Sequence, residues 1–139
     1  LTLGTTRSDV TRSVMEGVTF SLKQVVDLMK SFTPCEKVYT SGGGSASALW
    51  RQMQADVFDL PVYTMSAAGE GGAYGAIMVA GVGAGVWKNL SEAVSIVRVE
   101  TETLPIRENQ KAYQDAFEIY AKLYPALKPV YDLSASKGF

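Results

Sequence analysis

The residues with the most chemical promise form one stretch, Lys37-Val38-Tyr39-Thr40-Ser41-Gly42-Gly43-Gly44-Ser45. Glycine removes the Cβ that would keep a ligand away from the backbone, and it tolerates the positive φ of a sharp turn. Gly42, Gly43 and Gly44 can therefore present bare N–H groups to an anion or a nucleotide. The spacing predicts a short strand over residues 38–41, then the glycine turn. A helix follows over about residues 46–57, with Leu49, Trp50, Met53 and Val57 on its apolar face. Strand, glycine turn and helix start is the arrangement that seats a phosphate. Taken alone, the same turn is better read as a tight connection with no ligand, since glycine turns are common. A second glycine group, Gly69, Gly71 and Gly72, follows Met65-Ser66. Ligands of open α/β sheets bind beyond the carboxyl ends of the strands, so two glycine turns at one sheet edge fit a single nucleotide cleft.

The rest of the composition excludes more than it assigns. There is no histidine, which removes Ser/His and Cys/His nucleophiles and the usual zinc sites. Cys35 is the single cysteine, so no disulfide framework is available and a reducing, cytoplasmic setting is expected. Asp9, Asp27, Asp59 and Glu70 are available carboxylates, but no two have metal-ligand spacing. A net charge of −1 with no run of Lys or Arg argues against a nucleic-acid partner. With 139 residues, 47% of them hydrophobic, the chain can bury the core of one domain or of part of one. No signal peptide is visible, and the opening Leu1-Thr2-Leu3-Gly4 suggests a piece of a longer protein.

The elements that must position the glycine turns follow from periodicity. Thr6 with Asp9 three residues on predicts a helix start. Val10, Val14, Val18, Leu22, Val25, Met29 and Phe32 then trace one apolar helix face up to Thr33-Pro34. Arg12 and Glu16 are spaced for a solvated surface pair, and Gly17 in mid-helix suggests close contact with another backbone. Pro61 closes the connection after the second helix, and residues 62–64 predict a second short strand. Helix, strand, helix, strand implies parallel strands with crossover helices, an α/β architecture.

Between Glu70 and Lys88 no residue is charged. A membrane span is rejected, because the run is short and rich in alanine and glycine. A buried helix is expected instead, with Ala76, Ala80 and Ala84 on one small-residue face. Residues 91–97 predict a short helix capped by Ser91, and residues 99–106 a solvated, extended connector carrying Pro105. A last helix opens near Arg107, with Tyr113, Phe117, Tyr120, Tyr124 and Leu127 as a core or interface stripe. The tail, residues 133–139, is expected to fray.

Three blocks in this order resemble the FGGY carbohydrate kinases. They are Arg7-Ser8-Asp9-Val10-Thr11-Arg12-Ser13-Val14-Met15-Glu16-Gly17-Val18, Ser41-Gly42-Gly43-Gly44-Ser45-Ala46-Ser47-Ala48-Leu49-Trp50-Arg51-Gln52-Met53-Gln54-Ala55-Asp56, and Glu70-Gly71-Gly72-Ala73-Tyr74-Gly75-Ala76-Ile77-Met78-Val79-Ala80-Gly81. Within the family, the second block looks most like the xylulose kinases. The resemblance implies the second, C-terminal domain of a two-domain, actin-like sugar kinase: a partial ribonuclease-H-like domain over residues 1–139, its first strands missing, with residues 107–139 as a helical extension. It also implies binding of ATP and ADP, with Mg²⁺ carried mainly by the phosphates, and a ketopentose such as D-xylulose as acceptor. Glycerol, gluconate and ribulose are the alternative acceptors, and a non-catalytic actin-like nucleotide-binding or assembly module is the alternative role.

By resemblance, Gly42, Gly43 and Gly44 would meet the adenosine and α-phosphate, and Ser47 would lie near the adenine. Ser47 can equally be a first-turn residue bonding its own backbone. Asp56 matches a family acidic position but is read as holding a neighbouring loop. The resemblance puts the catalytic base and the sugar pocket in another domain, so no residue of this chain is assigned as catalytic, and the piece alone is expected to be inactive. Open strand edges and apolar faces on such a piece favour a homodimer or self-association.

Overall fold

A computed structural model describes residues 2–66 and 71–138. The order is α1 (Arg7–Lys30), β1 (Val38–Tyr39), a 3₁₀ turn (Gly43–Ala46), α2 (Ala48–Phe58), β2 (Val62–Met65), α3 (Gly71–Gly83), α4 (Leu90–Val94), β3 (Val99–Thr103) and α5 (Arg107–Ser136). The architecture is α/β, a small sheet flanked by helices.

The start of α1 is the predicted capping box. Asp9 N–H donates to Thr6 Oγ1 at 3.2 Å, and Thr6 N–H donates back to Asp9 Oδ2 at 2.8 Å. Two otherwise unpaired amides are thereby satisfied. The face that α1 buries is not the valine stripe. Thr19 and Phe20 are buried, with Met15 and Val26 beside them against the core, while the stripe is exposed from 43% at Leu22 to 82% at Phe32. The helix has apolar residues on two sides, and the side carrying Phe20 is the one that α2 and α5 cover. No atom among the described residues lies within 4 Å of a Cβ placed on Gly17, so the expected backbone contact is absent there.

The core centres on α2, whose residues 53–58 are all buried. Phe20, Met53, Ala55, Val57, Phe58, Leu60 and Val62 form one cluster. Tyr113, Phe117 and Tyr120 of α5 close over Phe20 with ring centroids 6.3, 5.8 and 5.4 Å away. Tyr124, predicted on the same stripe, is 64% exposed and stands outside this cluster.

β1 and β2 pair in parallel, as predicted, with Val38 opposite Val62. The segment expected to be a connector is instead β3, antiparallel to β2, with Thr101 opposite Thr64 and Glu102 opposite Tyr63. Its alternation is that of an edge strand. Thr101 turns inward and its hydroxyl meets that of Thr64 at 2.6 Å, while the Glu102 carboxylate accepts from the Tyr63 hydroxyl. That contact lifts the Tyr63 hydroxyl's pKa above its ordinary value.

Helix α3 forms as predicted but lies open: Met78 is its one buried residue, and Ala76, Ala80 and Ala84 are exposed. Asn89, not Ser91, caps α4, its side chain accepting from Glu92 N–H at 2.9 Å. α5 continues to Ser136, beyond where fraying was expected. None of these helices is long and apolar enough to cross a membrane.

Candidate functional site

β1 ends after Tyr39, and the chain turns at Gly42 with φ +81° and ψ −174°, a conformation that side chains disfavour. The next four residues wind into the 3₁₀ turn, tied by Ser45 N–H to Gly42 O at 3.0 Å and by Ser45 Oγ–H to the same oxygen at 2.7 Å. Gly42 can offer no capping side chain, and the 3₁₀ turn has none. Among the described residues nothing lies within 4 Å of a Cβ placed on Gly42 or Gly43, so towards them this face of the turn is open backbone. Gly44 differs. A Cβ there would sit 3.0 Å from Cε3 and Cζ3 of the Trp50 indole.

Ser47 lies at the junction of the turn with α2. Its Oγ accepts from Trp50 N–H at 3.3 Å and caps the helix. The hydroxyl hydrogen is not spent in that bond and remains a donor. Arg51, one turn into α2, donates from Nη1 to Ser45 O, holding the turn from the helix side.

The second glycine group meets the first. A Cβ on Gly71 would lie 2.9 Å from Ser41 Cβ and Oγ, so the start of α3 touches the strand end leading into Gly42. Gly69, the other member, lies outside the described residues, as does Glu70. Between the two segments is a cavity of about 170 Å³, lined by Ser41, Met65, Ser66, Tyr74, Met78 and Val97, among others. It sits beyond the carboxyl ends of β1 and β2 and is almost wholly apolar, a shape that suits a flat ring more than a charged group.

Asp56 is brought elsewhere, to the junction of α2 with α5. Asp9 and Asp27 lie along α1, and Asp59 follows α2. Among the described residues, no three His, Cys, Asp or Glu side chains gather where they could hold a metal ion. The sequence reading missed Trp50, Thr19 and Arg51 as the frame of the turn. The one local hint was a large aromatic six residues after Gly44; Thr19 carried no signal, being one of many hydroxyl residues on α1.

Residues 1–84 match the model of the FGGY family of carbohydrate kinases, C-terminal domain. The xylulose kinase of Staphylococcus xylosus is 33% identical over 126 residues, covering 89% of this chain and 26% of that protein. The glycerol kinase of Enterococcus casseliflavus is 35% identical over 121 residues, covering 82% of this chain and 23% of that protein. The solved xylulose kinase of Rhodospirillum rubrum superposes with a TM-score of 0.78 at 25% identity, over 95% of this chain and 27% of that one. The chain thus spans about a quarter of the length of the relatives it matches.

Proposed function

The chain belongs to the FGGY family of carbohydrate kinases, and from that premise we propose that the full-length protein phosphorylates a sugar with ATP, D-xylulose before other acceptors. This chain supplies the adenosine side of the nucleotide seat. Gly42, Gly43 and Gly44 bring bare backbone to the adenosine and α-phosphate. Ser47, anchored by Trp50 N–H, offers its free hydroxyl hydrogen near the adenine.

One observation carries this reading. The open face at Gly42 and Gly43 lies at the carboxyl edge of the sheet, where Gly71 closes against Ser41 beside an apolar cavity. The described residues offer bare backbone and hydroxyls, a donor set that fits a nucleotide but not a protein-ligated metal. Mg²⁺ would therefore be held mainly by the phosphates, whose charge it neutralises. The base that deprotonates the sugar and the pocket that holds it belong outside this chain. A cytoplasmic setting fits an ATP-consuming enzyme with one free thiol.

D-Xylulose is preferred because a xylulose kinase is among both the curated relatives and the structural neighbours, while the glycerol kinase relative keeps glycerol as the rival acceptor. A coupled assay of ADP release by the full-length protein over a panel of ketopentoses, glycerol and gluconate decides. The highest kcat/KM is expected with D-xylulose. Glycerol turned over far better would overturn the acceptor, and ATP left unconsumed with every sugar would overturn the kinase reading.

A further inference from the structure

Trp50 stands between the buried core and the glycine turn. Thr19, fully buried on α1, donates from Oγ1 to Met15 O at 2.8 Å and accepts from Trp50 Nε1–H at 3.0 Å. Ser47 Oγ takes the backbone N–H of Trp50 at 3.3 Å, so both N–H groups of that residue are fixed. The far edge of the same indole lies against Gly44, so close that a Cβ there would be 3.0 Å from two ring carbons. The ring leaves room for glycine at that position but not for a side chain, and close-packed interiors transmit displacement. The ring of Trp50 therefore sets how far the turn can sink towards the helices. On the outer side none of the described residues comes within 4 Å of a Cβ placed on Gly42 or Gly43.

We propose that Trp50 is a positioning residue for the nucleotide, a strut pinned by Thr19 that fixes the height of the Gly42–Gly44 backbone. The three glycines then have separate reasons. Gly42 supplies the positive φ and Gly43 the bare approach, while Gly44 leaves room for the indole. The proposal rests on the reading that this turn seats ATP. It adds that the affinity of the seat depends on a hydroxyl in the middle of α1, behind the turn and remote from its open face.

The test uses the full-length protein with Thr19→Val, which keeps the shape and loses the hydroxyl, and Thr19→Ser, which restores it. Thr19→Val should raise KM for ATP about fivefold, the worth of one typical hydrogen bond. KM for the sugar should stay within about twofold. Thr19→Ser should return KM for ATP to near its starting value. Trp50→Phe, which lacks the indole N–H, should reproduce the rise, and it serves if Thr19→Val does not fold. A residue that only stabilised the fold would lower active enzyme and the Tm and leave KM for ATP unmoved, which would overturn the proposal. Incorporated 5-fluorotryptophan, with the Trp50 resonance assigned by its loss in Trp50→Phe, separates the two layers. A Trp50 resonance indifferent to saturating ATP in the parent protein overturns the seat. A resonance that moves with ATP, while KM for ATP in Thr19→Val stays within about twofold, overturns the strut alone.

Discussion

Asp56 is 4% exposed, and none of its hydrogen-bond partners is a cation. Its Oδ1 accepts from Ile106 N–H at 2.7 Å and from Gln52 Nε2–H at 2.8 Å, and its Oδ2 from Asn109 Nδ2–H at 2.7 Å. A buried carboxylate survives only when donors replace its lost water, and here three do. Together they fasten the last turn of α2 to the first turn of α5. The sequence reading of Asp56 as a loop holder, not a catalytic group, fits this geometry. Asp56→Ala takes the acceptor from the Ile106 and Asn109 donors, while Gln52 Nε2–H keeps Leu104 O at 2.9 Å, and should cost about 2 kcal/mol of stability by urea denaturation. A loss below about 1 kcal/mol would show that water takes over the carboxylate's place. Single residues were legible where chemistry is local, as at Thr6 with Asp9. They were not legible where two distant segments meet, as at Thr19 with Trp50, because nothing in spacing along the chain says which hydroxyl an indole will reach.

Among the elements, α1 shows both the strength and the failure of periodicity. The capping box was readable because its residues are neighbours. The buried face was not, because the valine stripe and the Phe20 side are both apolar and only tertiary packing chooses between them. β3 failed for a related reason: alternating glutamates suit a solvated connector and the outer face of an edge strand alike. The capping box also makes an acid-dependence prediction. Hydrogen bonds from Thr6 N–H and Oγ1–H hold the Asp9 carboxyl below its ordinary value of 3.8. A carboxylate favoured in the folded state stabilises above its unfolded pKa and loses that contribution as pH falls through the folded one. Acidification below 3.8 should therefore weaken the protein less steeply in Asp9→Asn than in the parent. Helicity followed against pH checks this, and identical slopes would contradict it.

At the scale of the molecule, a small mixed sheet stands between α2, which organises the core, and a carboxyl edge where two glycine segments touch. The family was legible because three blocks recur in order along the first two thirds of the chain, and the matched residues 1–84 coincide with them. The frame of the site was not, because Trp50 and Thr19 act through packing that no motif records. On the proposed reading, open backbone at Gly42 and Gly43 holds the adenosine side of ATP. Hydrogen–deuterium exchange of the full-length protein, with and without a non-hydrolysable ATP analogue, tests it most directly. Peptides spanning the glycine turn and Ser47 should exchange more slowly with nucleotide bound. Unchanged exchange there, with protection appearing elsewhere in the protein, would contradict the claim.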